Sequence, residues 1–262
     1  MCGLAGILLF YPQERSPAAW QQIRDLFTRM LILNEERGRD ASGVALVRAD
    51  ASYLLYKQPV PATELVRMPA YRALLSEVDE RTTCLLGHTR LPTKGSRWNN
   101  LNNHPLKVGH LLGIHNGFIT NDDDLFTLLG LPRQGEVDSE IIFRLLSSVS
   151  PAANNGLLAQ AVRDRVRLLE GSFVTLSVDL RRPTRLLVLK QLGPLCMHYE
   201  SDLKALFLAS RYVFLRKAFG RSVITEALRP DHGFVFDAER LAHTKGRPTE
   251  EFPLQLLGGQ YL

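Results

Sequence analysis

The sequence predicts a layered α+β fold. Strand-like segments come in runs, with helices in blocks between them, which is not the alternation of a βαβ array. Neither a G-x-x-x-x-G-K-[ST] nor a G-x-G-x-x-G phosphate loop is present. The length of 262 residues suits one large domain or two small ones. No internal repeat, low-complexity tract or linker divides the chain.

The apolar run from Cys2 to Phe10, bounded by Tyr11-Pro12, predicts a buried strand. Ser16-Pro17 then opens a helix, with Ser16 as N-cap and Pro17 at the first helical position. Trp20, Ile23, Phe27, Met30 and Leu31 recur at helical spacing, and the helix ends near Glu36-Arg37-Gly38. Ser42 to Arg48 and Ser52 to Tyr56 read as strands around the turn Ala49-Asp50-Ala51. Residues 61–79 predict short helices, and Arg81 to Gly87 a strand. The Gly-, Asn-, Pro- and Lys-rich stretch from Pro92 to Pro105 predicts a long loop, a common location for function. Gly109 to His115 reads as a strand ending in Asn116-Gly117. Asn121 to Leu129, Ser139 to Ser147 and Leu157 to Leu169 read as helices, the last ended by Gly171. Strands follow at Ser172 to Asp179, Arg185 to Lys190, Leu195 to Tyr199 and Ala205 to Ala209. A helix at Tyr212 to Ala218 and a strand at Gly233 to Phe236 complete the reading.

Composition excludes several classes. With 45% hydrophobic residues and mixed charge, this is an ordinary globular chain. No apolar run reaches the ~18 residues of a membrane span. The N-terminus lacks the basic region of a signal peptide, so the expected location is the cytoplasm. The net charge of +5 invites a nucleic-acid reading. However, the basic residues are scattered: Arg163, Arg165 and Arg167 share a helix with Asp164, and Arg181, Arg182 and Arg185 surround Pro183. No nucleic-acid partner is expected. Cys2, Cys84 and Cys196 form no C-x-x-C pair, so neither a zinc site nor a disulfide framework is expected. Cys84 and Cys196 sit in apolar runs and read as small core residues.

Cys2 is different. It follows Met1 directly, and a small second residue permits removal of the methionine. Cysteine would then carry a free α-amine, of pKa about 7.7–8.0, beside a thiol of about 8.5. One residue would supply both nucleophile and general base.

Four further segments accompany Cys-Gly-Leu-Ala-Gly-Ile. They are Arg37-Gly38-Arg39-Asp40-Ala41-Ser42-Gly43, Gly87-His88-Thr89-Arg90-Leu91-Pro92-Thr93-Lys94-Gly95, His115-Asn116-Gly117 and Val137-Asp138-Ser139-Glu140. In this order they resemble the class II glutamine amidotransferase domain, the ammonia-releasing half of glucosamine-6-phosphate synthase and of glutamine amidophosphoribosyltransferase. Asn103-His104-Pro105, Leu169-Glu170-Gly171-Ser172-Phe173 and Leu208-Ala209-Ser210 extend the likeness more loosely over almost the whole chain.

The resemblance implies a four-layer αββα sandwich of the N-terminal nucleophile hydrolase type. It also implies that residues 1–262 form a single glutaminase domain without a synthase domain. The implied reaction is hydrolysis of L-glutamine to glutamate and ammonia through a Cys2 thioester, with no metal or organic cofactor. The partner it implies is a separate synthase that takes the ammonia. By correspondence, Asn116 and Gly117 form the oxyanion hole, Arg90 and Thr93 hold the α-carboxylate and Asp138 pairs with the α-ammonium. Arg37 orients the terminus. His88, His104 and His115 read as scaffold, and Asp40 and Ser42 as loop braces. The loop from Ser96 to Asn102, with Arg97 and Trp98, is a candidate lid.

Two departures stand out: Lys94 where glucosamine-6-phosphate synthase has histidine, and Leu91 where an aromatic is common. They put the closure of this loop over glutamine in question. Read singly, the residues have plainer roles: Arg90 a surface ion pair, Asn116-Gly117 a hairpin turn, Asp138 a helix N-cap. Two functional alternatives stay open. One is an amide hydrolase of the same fold acting on another acyl substrate. The other is a non-catalytic regulatory subunit.

Overall fold

The computed structural model describes residues 1–150 and 157–254. In chain order the elements are β1 (Gly3–Leu9), α1 (Pro17–Asn34), β2 (Ala41–Arg48), β3 (Tyr53–Gln58), α2 (Ala62–Leu65), α3 (Pro69–Ser76), β4 (Thr82–Arg90), β5 (Leu106–Val108), β6 (Leu111–Ile119), α4 (Asp122–Leu128) and α5 (Ser139–Ser147). They continue with α6 (Leu157–Val166), β7 (Gly171–Asp179), β8 (Arg185–Lys190), β9 (Cys196–Glu200), β10 (Ala205–Ala209), α7 (Tyr212–Phe219), β11 (Glu226–Ala227), β12 (His232–Asp237) and β13 (Glu250–Pro253).

The strands form two antiparallel sheets. One has the order β11-β9-β10-β1-β4-β2-β3 and the other β13-β12-β8-β7-β6-β5. Three apolar cores define the layers. Between the sheets lie Leu4, Leu8, Leu86, Ile114, Leu176 and Leu208. On the outer face of the first sheet, Ile7, Leu9 and Phe207 meet Phe27 and Leu31 of α1 and Phe214 of α7. On the outer face of the second, Phe173 and Leu189 meet Ile141 and Leu145 of α5 and Val162 of α6. β1 shows why both faces are apolar: alternate residues of a strand point to opposite faces, so Leu4 and Leu8 face the other sheet while Ala5, Ile7 and Leu9 face the helices. The result is the four-layer αββα sandwich. No helix among the described residues is long and apolar enough to cross a membrane.

Local signals at the start of the chain hold. Ser16 Oγ accepts from Ala19 N at 3.2 Å, and Pro17 is the first residue of α1. A short 3-10 turn, Glu35–Arg37, closes the helix.

Other expectations need correction. The strand that begins at Leu111 does not stop at Asn116-Gly117 but runs to Ile119, because Asn116 pairs with Val174 and Gly117 with Phe173 on β7. The strand expected to end at Gly87 continues through Arg90, held by pairing with Ala41–Gly43 of β2 and with Gly3 and Leu4 of β1. The helix expected to reach Leu169 stops at Val166. The short strands β5, β11 and β13 were not expected from the sequence.

Candidate active site

β1 starts between β10 and the C-terminal end of β4. Gly3 pairs with Thr89, which brings Cys2 level with Arg90. Two devices fix this start. Ser210 Oγ accepts from Leu4 N at 2.9 Å, and Ser210 N donates to Leu4 O at 3.1 Å. Arg37 Nε donates to the Cys2 carbonyl oxygen at 2.8 Å. Gly38 lets this segment close in, since a Cβ there would lie 2.4 Å from the Arg90 carbonyl carbon.

The Cys2 thiol is half-buried and donates to Leu91 O at 3.6 Å. Burial pushes its pKa above the ordinary thiol value, although the Leu91 contact, the N-terminal ammonium and Arg90 all oppose this. The field of Asp138 adds to the upward push. Cys2 therefore sits within electrostatic reach of both Arg90 and Asp138.

Arg90 is buried and turned toward the loop that follows it. Nη1 donates to Asn103 Oδ1 at 2.9 Å, and Nη2 donates to Lys94 O at 2.7 Å and Gly95 O at 2.9 Å. Burial lowers its pKa, and the fields of Cys2 and Asp138 act in the opposite direction. These bonds frame the short exposed segment that carries Thr93.

The second sheet reaches the same end of the sandwich. His88 Nε2 and His115 O lie 2.9 Å apart, so Thr89-Arg90 and Asn116-Gly117 emerge side by side from facing strands. Asn116 is buried, its Oδ1 has no partner, and its side chain makes no hydrogen bond to any described residue. Gly117 has φ +141°, and a Cβ there would lie 1.9 Å from Ser172 O, so only glycine fits. Asp138 Oδ2 accepts from Ile119 N at 2.7 Å and Oδ1 from Ser139 N at 2.9 Å. Asp138 is thus the N-cap of α5 that the sequence alone suggests, and it also ties α5 to the strand of Asn116.

His88, His104 and His115 form a buried group behind the site. The His88 and His104 rings stack with centroids 4.4 Å apart, and His115 Nδ1 lies 2.7 Å from Ser139 Oγ. Burial depresses all three, His88 to about 3, and leaves them neutral. Among the described residues, no group of three or more His, Cys, Asp or Glu is placed to hold a metal ion.

The structure brings Cys2, Arg37, Arg90, Asn116, Gly117 and Asp138 to one end of the sandwich, with Thr93 on the adjoining loop. Sequence reasoning missed three contributors: the Leu91 carbonyl, Asn103 as the partner of Arg90, and the ion pairs of Lys94. Asn103 stood within a recognised motif, and Lys94 was visible as a departure. In the candidate lid, the Arg97 guanidinium lies 4.6 Å from the centroid of the Trp98 ring and its Nη1 lies 3.2 Å from Asp40. Trp98 itself is 71% exposed.

No family model matches the chain. Over 254 residues it is 28% identical to the glutamine–fructose-6-phosphate aminotransferase of Aliivibrio fischeri, covering 91% of this chain and 37% of that protein. Among solved structures it resembles the allosteric regulatory enzyme of purine biosynthesis, with a TM-score of 0.68 at 19% identity. It also resembles the glutamine phosphoribosylpyrophosphate amidotransferase of B. subtilis, with a TM-score of 0.65 at 19% identity. Each of these matches covers 97% of this chain and 49% of the other. The chain thus spans less than half the length of these matched proteins. Over most of its length this chain is thus similar in sequence to a glutamine–fructose-6-phosphate aminotransferase and in fold to the two solved structures.

Proposed function

We propose that the chain hydrolyses the side-chain amide of L-glutamine and delivers the ammonia to an acceptor bound by a synthase domain or subunit. With Met1 removed, the Cys2 α-amine takes the thiol proton through a water, and sulfur adds to the carboxamide carbon. The oxyanion is held by the Asn116 side-chain amide and the Gly117 N–H. Collapse breaks the C–N bond, and ammonia leaves with the proton returned by the amine. Water then cleaves the thioester, giving glutamate and restoring the thiol. Arg90 and Thr93 hold the α-carboxylate, Asp138 holds the α-ammonium and Arg37 orients the terminus.

The observation that carries this reading is the Asn116 amide, buried and without a hydrogen bond to any described residue, on the strand that Asp138 holds through Ile119 N, while Cys2 lies within reach of the opposite charges of Arg90 and Asp138. The Asn116 Nδ2 group is a donor that no described residue takes up, and a substrate oxyanion is an acceptor of the kind it can serve. Arg90 and Asp138 fit the two charged ends of an amino acid, which an acyl substrate lacking them does not require.

The test is intact mass and peptide mapping after exposure to a diazoketone analogue of glutamine. One adduct on a processed Cys2, blocked by excess glutamine, supports the proposal. A processed chain that reacts equally with acylated amines and ignores glutamine overturns it in favour of another amide hydrolase. A retained Met1 with no adduct favours the regulatory reading.

A further inference from the structure

Resting on the glutaminase reading, we infer that Lys94 is a positioning residue, whose ion pairs latch the carboxylate-binding loop to the segment that carries the ammonium-binding Asp138. The Lys94 ammonium meets the Asp122 carboxylate at 2.7 Å and Asp123 Oδ1 at 2.8 Å, at the start of α4. Arg133 approaches the same two carboxylates from the other side, with Nη2 at 2.8 Å from Asp122 and Nη1 on Asp123. Arg133 also donates to Gly135 O and Glu136 O, both at 2.9 Å, which fixes the segment leading to Asp138. A second tie runs alongside: Asn102 Nδ2 donates to Glu136 Oε2 at 2.6 Å, and Glu136 N donates to Asn102 Oδ1 at 2.7 Å.

The geometry separates latching from folding. The Asp122 side chain is only 4% exposed and needs a cation. Arg133 supplies one even when Lys94 is absent, so loss of Lys94 leaves no orphaned charge. What is lost is the tether on the backbone of residues 93–95, two of whose carbonyls align Arg90. A loop that must be ordered at each binding event weakens affinity without changing the chemical step. The Lys94 side chain is 36% exposed and that of Asp123 70%, so added salt screens this side of the cluster.

The test uses the full chain with Met1 removed, its Lys94→Met and Lys94→Arg variants, and two readouts. The first is the rate of Cys2 labelling by the diazoketone analogue. Lys94→Met is expected to raise the half-saturating concentration about tenfold while leaving the maximal rate within about twofold. Lys94→Arg is expected to restore most of the loss. Wild-type half-saturation is expected to rise between about 0.05 and 0.5 M inert salt, and that of Lys94→Met to stay flat. The second readout is backbone hydrogen exchange over residues 91–97 without ligand, expected to be faster in Lys94→Met at an unchanged melting temperature. Equal exchange in wild type and Lys94→Met overturns the latch, as does an unchanged half-saturation. Faster exchange in a protein whose wild-type Cys2 is never labelled supports the latch and instead defeats the glutaminase reading.

Discussion

Arg37 holds the carbonyl oxygen of Cys2, not its sulfur: Nε donates to that oxygen at 2.8 Å, and Nη2 lies 3.6 Å from Met1 Sδ. The guanidinium orients the backbone of the nucleophile and leaves the thiol to Leu91 O. Arg37→Ala is expected to lower kcat about 10–100-fold with little change in KM, because sub-ångström placement of the attacking atom governs the chemical step. Arg37→Lys should recover only part of this, since an ammonium lacks the planar fork. Steady-state glutaminase kinetics check it, and an unchanged kcat in Arg37→Ala would remove Arg37 from the site.

Asn116→Ala isolates the oxyanion donor. The side chain makes no hydrogen bond to any described residue, so truncation removes none of those that hold the fold. The expected result is a loss of about 10²–10³ in kcat at nearly constant KM and melting temperature. A loss confined to KM would place Asn116 in ground-state binding.

Asp138→Asn tests a carboxylate with two duties. Its two oxygens accept from Ile119 N and Ser139 N, and an amide offers only one acceptor oxygen. One buried N–H then faces an NH₂ group, at a cost of about 1–3 kcal/mol. The variant should melt earlier and bind glutamine at least about tenfold more weakly. Melting curves and KM are measured together, and a lower melting temperature with unchanged KM would confine Asp138 to the helix cap.

The buried histidines make stability depend on pH. His88 is depressed to about 3 from an ordinary 6.5, first by burial, so the unfolded chain binds its proton more readily than the native state. The stabilisation is fully present above ~6.5 and is lost as pH falls toward ~3, each unit being worth about 1.4 kcal/mol. His104 and His115 are depressed in the same sense. Urea unfolding between pH 7 and 4 should show a falling midpoint, and His88→Gln should flatten the slope. A midpoint independent of pH would mean that these rings are hydrated.

The sequence was most readable where one local signal acted without competition. Ser16-Pro17 marks the start of α1 because the cap and the first-turn proline need only the residues beside them. It was least readable where a tertiary partner overrides local chemistry. Asn116-Gly117 carries a strong turn signal, yet Val174 and Phe173 on β7 keep it in a strand. β11 is two residues long and leaves no periodicity to detect. In the site, Cys2, Arg90, Asn116 and Asp138 stood out through motif order. The acceptors that align them, Leu91 O, Lys94 O and Gly95 O, are main-chain atoms, which no side-chain pattern announces.

The placement of β1 between β10 and β4 has a consequence for biosynthesis. The start of β1 is anchored by a residue translated much later: Leu4 N and Ser210 Oγ are joined across 206 positions. Contacts this distant in sequence form late. A nascent chain therefore exposes Cys2 long before it can aim it. The Ser210 anchor on β1 forms only after β10 has left the ribosome and closed beside β1, so a chain cut short before β10 carries the nucleophile without the tie that aims it.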